Sequence, residues 1–216
     1  MEAMKRKLFV AGSTGATGKV LVPLARARGL EVVAHQRPKH GGAPSAGVAV
    51  CELADSRALE EAVRGCTTVV QLIGTVRSRF AAGDTYETSD IGTTVQLLAA
   101  AKATGVDHFV LLSSVGAGRP VGAYLAAKAK VEQLVHEAGI PWTVFRPSSL
   151  VGGERKAPPG MKGLTRLLGL ERLKPITLEE LSGAMIQCAV DRAPLGVALE
   201  GGPLWELVGR SVAAGD

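Results

Sequence analysis

The chain has 216 residues, 46% of them apolar and 4% aromatic, and carries 25 Lys and Arg against 20 Asp and Glu, a net charge of +5. That length suits one domain with a sizeable core. The basic residues are scattered, with only Lys5-Arg6-Lys7 clustered and no aromatics interleaved, which argues against a nucleic-acid surface and for a solvated face with a few phosphate contacts. Cys51, Cys66 and Cys188 have no CxxC spacing, and His35, His40, His108 and His136 have no ligand spacing, so reduced thiols and no metal site are expected. No stretch is long and apolar enough for a membrane span or a signal peptide, and a soluble cytoplasmic protein is expected.

In chain order, an apolar strand at 8–11 breaks into Gly12-Ser13-Thr14-Gly15-Ala16-Thr17-Gly18, and a helix follows at 19–28. A strand, a glycine turn and a helix in direct succession are what a dinucleotide pyrophosphate requires. Gly12 permits the tight turn, Gly15 lets the backbone approach the anion, and Gly18 allows close packing of helix on sheet, with Thr14, Ala16 and Thr17 completing the cofactor-facing turn. Pro23, inside that helix, is a local conflict because it removes a backbone donor.

Strands are expected at 31–35, 48–50 and 68–73, with a Pro/Gly-rich loop at 36–47 and a helix at 56–64 that Asp55 caps and that turns Leu59 and Val63 inward. A polar loop with Arg77, Arg79 and Asp84 leads to a helix at 91–104, whose inner face is read from Val95, Leu98 and Lys102. A strand at 108–112, a helix at 124–137 and a strand at 142–146 follow. Strands alternating with helices imply a parallel sheet with right-handed crossovers, an α/β doubly wound sheet of the Rossmann type. Beyond Gly152 come a breaker-rich loop, an amphipathic segment at 161–173 and a last helix, for which Thr177 and Glu180 form a capping box. Together they predict a small substrate-side cap over 152–216 on a single domain, with a frayed tail from Ser211.

Tyr124 and Lys128 stand four apart on a predicted helix, so phenol and ammonium share one face. A cation beside a phenol favours the phenolate and makes the phenol a usable acid or base. Ser113 and Ser114 end a strand at the edge where open α/β sheets bind ligands. The Tyr/Lys spacing alone fits an ordinary amphipathic helix, and a strand-end serine also suits backbone termination; the glycine turn upstream tips both towards chemistry. After the second strand comes His35-Gln36-Arg37-Pro38-Lys39-His40, where NAD binders commonly carry an acid for the ribose diol. With no acid to repel it, a 2′-phosphate would be held by Arg37 with Lys39 nearby, so NADP is expected in preference to NAD; the alternative is a solvated basic loop.

The glycine turn, Val110-Leu111-Leu112-Ser113-Ser114-Val115-Gly116-Ala117, the Tyr124 to Lys128 segment and Val144-Phe145-Arg146-Pro147 together carry a family resemblance. The chain resembles the atypical short-chain dehydrogenase/reductases, most of all the small oxidoreductases named for the HIV Tat-interacting protein, with NmrA-like proteins as more distant relatives. The likeness runs from Leu8 to about Gly152. It implies Tyr124 as general acid to a substrate carbonyl, Lys128 on the nicotinamide ribose and tuning Tyr124, and Ser114 or else Ser113 on the carbonyl oxygen. It further implies Pro147 beside the nicotinamide, Glu52 and Leu53 beside the adenine, and Ile73, Gly74 and Thr75 near the ribose, although packing explains Leu53 and Ile73 equally well. The serine-to-tyrosine separation is shorter than in conventional members. The implied activity is NADPH-dependent reduction of a small carbonyl compound. An NADP(H)-reading regulator acting through a protein partner is the second reading, and nucleotide-sugar epimerisation is disfavoured by the short C-terminal region.

Overall fold

The computed structural model describes residues 6–38, 45–74, 85–152 and 171–213. β1 (Lys7–Ala11), α1 (Ala16–Ala27), β2 (Glu31–Gln36), β3 (Val48–Val50), α2 (Ser56–Val63) and β4 (Thr68–Gln71) form the first half. A π-helical turn, Tyr86–Gly92, runs straight into α3 (Thr93–Thr104), followed by β5 (His108–Leu112), α4 (Ala123–Glu137) and β6 (Trp142–Phe145). The chain then forms β7 (Leu150–Val151), β8 (Ile176–Thr177), α5 (Leu178–Asp191), β9 (Val197–Leu199) and α6 (Gly202–Ala213).

Seven strands make one sheet in the order β3-β2-β1-β4-β5-β6-β9, every neighbour parallel. The order reverses between β1 and β4, so a crevice opens above their C-terminal ends, the place where such sheets take ligands. Residues alternate across the sheet. Leu8, Val10, Val70, Val110 and Phe145 meet α1, α5 and α6, while Phe9, Val69, Phe109, Leu111 and Val144 meet α2, α3 and α4. With both faces covered, the strands read as continuous apolar runs, and the doubly wound α/β sheet follows.

The helix boundaries have identifiable causes. Asp55 accepts from the Ala58 N–H at 3.0 Å, and the expected Thr177/Glu180 capping box is present in both directions, at 3.0 and 2.8 Å. Pro23 sits within α1 on its exposed side, where the carbonyl it leaves unpaired can face water.

Several expectations need correction. The inner stripe of α3 is Thr94, Leu97, Leu98 and Ala101, while Val95 and Lys102 are exposed. The true stripe keeps i, i+3, i+4, i+7 spacing but starts on a threonine, which reads as polar in sequence. α5 is not the last helix: residues 178–213 join the main body, with β9 extending the sheet beside β6 and α5 packed on α1 and α6. They therefore complete the second helical layer instead of forming the expected cap. Nor does the tail fray at Ser211, which is buried in α6 and whose carbonyl accepts from Arg28 at 3.2 Å. Among the described residues no helix is long and apolar enough to cross a membrane.

The three cysteines are buried free thiols, and burial pushes those of Cys66 and Cys188 up to about 11, which makes them poor nucleophiles. His108 is fully buried at the N-terminal end of β5, its Nε2 3.0 Å from Thr143 Oγ1, and burial pushes it down to about 4. Because the folded value lies below the ordinary 6.5, stability is complete above pH 6.5 and falls as the pH drops towards 4, where only the unfolded chain takes up the proton. The loss amounts to about 3 kcal/mol. Urea unfolding at neutral and acidic pH checks this: His108→Asn, which has no titrating ring, should lose about 2–3 kcal/mol less between the two conditions than the parent chain.

Candidate functional site

The glycine turn is built by close approach. Gly12 has φ +90, a conformation that a side chain resists, and its carbonyl accepts from Gly15 N–H at 3.0 Å. A Cβ on Gly18 would stand 2.4 Å from the Gly12 oxygen and 2.6 Å from Ser13 Cα, so only glycine lets α1 start this near β1. Gly15 is the N-cap of α1; no side chain caps the helix there, and no acidic residue lies in its first turn. Thr14, Gly15 and Ala16 are exposed, whereas Thr17 and Gly18 are buried. The result is an open helix N-terminus above the switch point between β1 and β4, with backbone N–H groups and the helix dipole presented to an anion.

Neighbouring strands fix this turn. Ser13 Oγ donates to the His35 carbonyl at 2.5 Å, and the buried His35 ring pairs through Nε2 with the Cys51 carbonyl at 2.9 Å. Burial lowers the affinity of His35 for a proton; its ring ties β2 to the end of β3, and its carbonyl ties β2 to the turn after β1. Arg37 follows directly after β2 and is half-buried. Glu52 is exposed beyond β3, while Leu53 is buried against Phe9 and Leu59. Ile73 is half-buried on the same cluster, and Gly74 is exposed three residues beyond β4. Lys39 and Thr75 lie outside the described residues.

The second half of the site lies on α4. Tyr124 is 36% exposed, and the Lys128 ammonium lies 5.9 Å from its ring centre, so the two share a face as the spacing requires. Lys128 is almost fully buried, and its Nζ donates to Asp90 Oδ1 at 2.8 Å. The same Nζ would be 2.7 Å from a Cβ on Gly74, so the glycine in the segment after β4 leaves room for the ammonium. The chain's two tyrosines meet here: the ring of Tyr86, from the π-helical turn, is centred 6.0 Å from that of Tyr124.

The two serines point to different partners. Ser113 is buried and donates to Glu132, which Arg146 grips with Nε and Nη2. Hydrogen bonding to Glu132 holds the Arg146 guanidinium above its ordinary range. Ser114 is half-buried and donates to the neighbouring Val115 carbonyl at 3.3 Å. Pro147 is buried, and its carbonyl accepts from Val115 N–H at 2.9 Å, joining the strand end to the segment after β6.

Sequence reasoning missed Asp90, Tyr86 and Glu132. Glu132 left a signal, since it stands one helical turn beyond Lys128 on the Tyr124 face. Asp90 left almost none, because it precedes the expected helix start in what reads as a polar linker. A shallow groove lined by Leu24, Arg28, Ile186 and Val190 lies at the other end of α1 from the glycine turn and includes none of these residues.

The sheet and its glycine turn define a Rossmann-type dinucleotide-binding protein. A family model described as NAD(P)H-binding matches residues 12–180, and the chain belongs to that family. It is 30% identical over 155 residues to the mitochondrial protein FMP52 of Debaryomyces hansenii, covering 69% of each chain. It is 31% identical over 168 residues to the (4-alkanoyl-5-oxo-2,5-dihydrofuran-3-yl)methyl phosphate reductase of Streptomyces griseus, covering 74% of this chain and 55% of that one. Among solved structures, MoeE5 in complex with UDP-glucose and NAD has a TM-score of 0.70 at 18% identity, covering 96% of this chain and 81% of that one, which shows the shared fold.

The open N-cap separates binding from stability. Gly15→Asp puts a favourable capping residue at the start of α1, changing stability by about 0.5 kcal/mol or less. It also puts a carboxylate where the pyrophosphate would sit, so dinucleotide affinity should drop by about 100-fold or more. Thermal unfolding together with calorimetric titration reads both effects.

Proposed function

We propose that the protein is an NADPH-dependent reductase of a small carbonyl compound, with Tyr124 as the proton donor. The observation that carries this reading is the meeting of Tyr124 and Lys128 at the sheet edge that also bears the open glycine turn, with Lys128 reaching Gly74 in the segment after β4. The exposed Thr14–Ala16 backbone and the cradle closed to any side chain at Gly18 fit a dinucleotide. Oxidoreduction by the Streptomyces griseus relative lends support from outside the chain.

When bound, the nicotinamide supplies the hydride to the carbonyl carbon. Tyr124 gives its phenolic proton to the carbonyl oxygen, with the Lys128 ammonium 5.9 Å from its ring centre. Tyr124 is exposed enough to regain its proton from solvent. Ser114 orients the carbonyl oxygen by hydrogen bonding once its hydroxyl turns from Val115; Ser113 is engaged with Glu132 and holds the strand end in place. Lys128 also offers N–H groups to the ribose hydroxyls, since an ammonium has three and Asp90 takes one.

The preference for NADPH is assigned to Arg37. The segment that leaves β2 carries Arg37 and no acid of its own, which suits a 2′-phosphate. By the family resemblance Glu52 and Leu53 would lie beside the adenine, Ile73 and Gly74 near the ribose, and Pro147 beside the nicotinamide.

Tyr124→Phe should lower kcat for carbonyl reduction by about 100- to 10,000-fold while NADPH affinity stays within about threefold; retained turnover would overturn the assignment. Arg37→Ala should weaken NADPH binding by about 10- to 150-fold and leave NADH binding nearly unchanged. Equal losses for the two dinucleotides would remove Arg37 from the 2′-phosphate.

A further inference from the structure

Among the described aromatic side chains, Tyr86 alone accompanies Tyr124 at the crevice. Phe9, Phe109 and Phe145 are fully buried in the two halves of the core. Trp142 opens β6 at the opposite end of the sheet, where it stacks on His136 at 4.0 Å, and the Trp205 ring is covered by the Lys174 ammonium at 3.6 Å. In a chain with 4% aromatic residues, the meeting of both tyrosines at the proposed proton donor calls for a reason.

The backbone that carries the Tyr86 ring is held at both ends. Tyr86 is the first residue of the π-helical turn, and Thr85 and Thr88 flank it, each hydroxyl accepting from the other's N–H at 3.1 Å. At the far end Thr94 Oγ1 donates to the Asp90 carbonyl at 2.6 Å and accepts from Gln71, the last residue of β4, at 2.8 Å. The Asp90–Lys128 pair ties the same turn to α4. Tyr86 is therefore a fixed wall beside Tyr124, half-buried and inclined to its ring by 57°. The approach to this corner is apolar: Val121-Gly122-Ala123, which leads into Tyr124, is exposed and carries no charge, with Val121 83% exposed.

We propose that Tyr86 is a specificity-determining residue: its ring receives a planar unsaturated group on the substrate's carbonyl carbon, so the favoured substrates are aromatic or conjugated aldehydes and ketones. This rests on the reductase reading above. A carbonyl oxygen at the Tyr124 hydroxyl brings the group on its carbon within reach of the neighbouring ring, and two π-systems gain from a tilted or offset contact beyond the area that they bury. A saturated ring of the same size buries similar area and lacks that gain. The contact is made before proton transfer as well as during it, so it acts on substrate affinity.

The test compares benzaldehyde with cyclohexanecarbaldehyde as substrates of the full chain at saturating NADPH. Tyr86→Leu keeps an apolar side chain and removes the ring. It should lower kcat/KM for benzaldehyde by about 3- to 10-fold more than for cyclohexanecarbaldehyde, with the difference carried by KM. Tyr86→Phe should keep the parent's ratio between the two substrates, because the ring remains. Should Tyr86→Leu fail to fold, Tyr86→Met reads the same ratio. An unchanged ratio in the ring-free variant, whether both aldehydes lose or neither does, would overturn the inference and leave the reductase reading standing. A Tyr86→Phe protein that behaves like Tyr86→Leu would assign the effect to the hydroxyl and overturn it as well. A parent chain that binds NADPH and reduces neither aldehyde would overturn the reductase reading and the inference together.

Discussion

The close approach of Gly18 to the Gly12 carbonyl, which leaves no room for a Cβ, sets the geometry of the whole site. A side chain at Gly18 would drive α1 away from β1, and with it the helix N-terminus from the crevice above β1 and β4. Because the approach is so close, α1 begins at the sheet edge with an N-cap that no side chain satisfies. The fold therefore carries a set of backbone donors that only a ligand or water can use. Ser13 and His35 then align the ends of β1, β2 and β3 under that turn, which fixes where Arg37 leaves the sheet.

Across the crevice, α4 carries a polar ladder through an otherwise apolar interface. Tyr124, Lys128 and Glu132 are spaced at single helical turns; Asp90 answers Lys128, and Arg146 answers Glu132. The lower rung also binds Ser113, and Arg146 Nη1 would lie 2.8 Å from a Cβ on Gly118, so β5, β6 and the segment before α4 are locked together. Hydrophobic side chains would fill the same space at less desolvation cost. The charges tie α4 to the π-helical turn and to the end of β6, and Tyr124 stands one turn from Lys128 on the same face.

Much of the fold was legible because parallel strands buried on both faces leave uninterrupted apolar runs. Residues 8–11 and 109–112 are such runs, and the glycine turn marks the first crossover. Less legible were elements whose signals are short or mixed. β9 has three residues, α6 opens with Gly202-Pro203, and the buried stripe of α3 begins with Thr94. In the site, Tyr124 and Lys128 could be paired from spacing alone, since i and i+4 share a helix face. Asp90 could not, because its contact with Lys128 spans 38 residues and depends on a π-helical turn that no local pattern announces. The two serines look alike in sequence and part company only in three dimensions, where Glu132 captures Ser113.

The most direct measurement is a calorimetric titration of the nucleotide-free protein with NADPH and, separately, with NADH. Saturable binding of NADPH, with NADH weaker by about 10-fold or more, is the expected result for a pyrophosphate seated on the α1 N-terminus and a 2′-phosphate on Arg37. Binding of neither dinucleotide would contradict the central claim and remove the basis for every catalytic role proposed on α4.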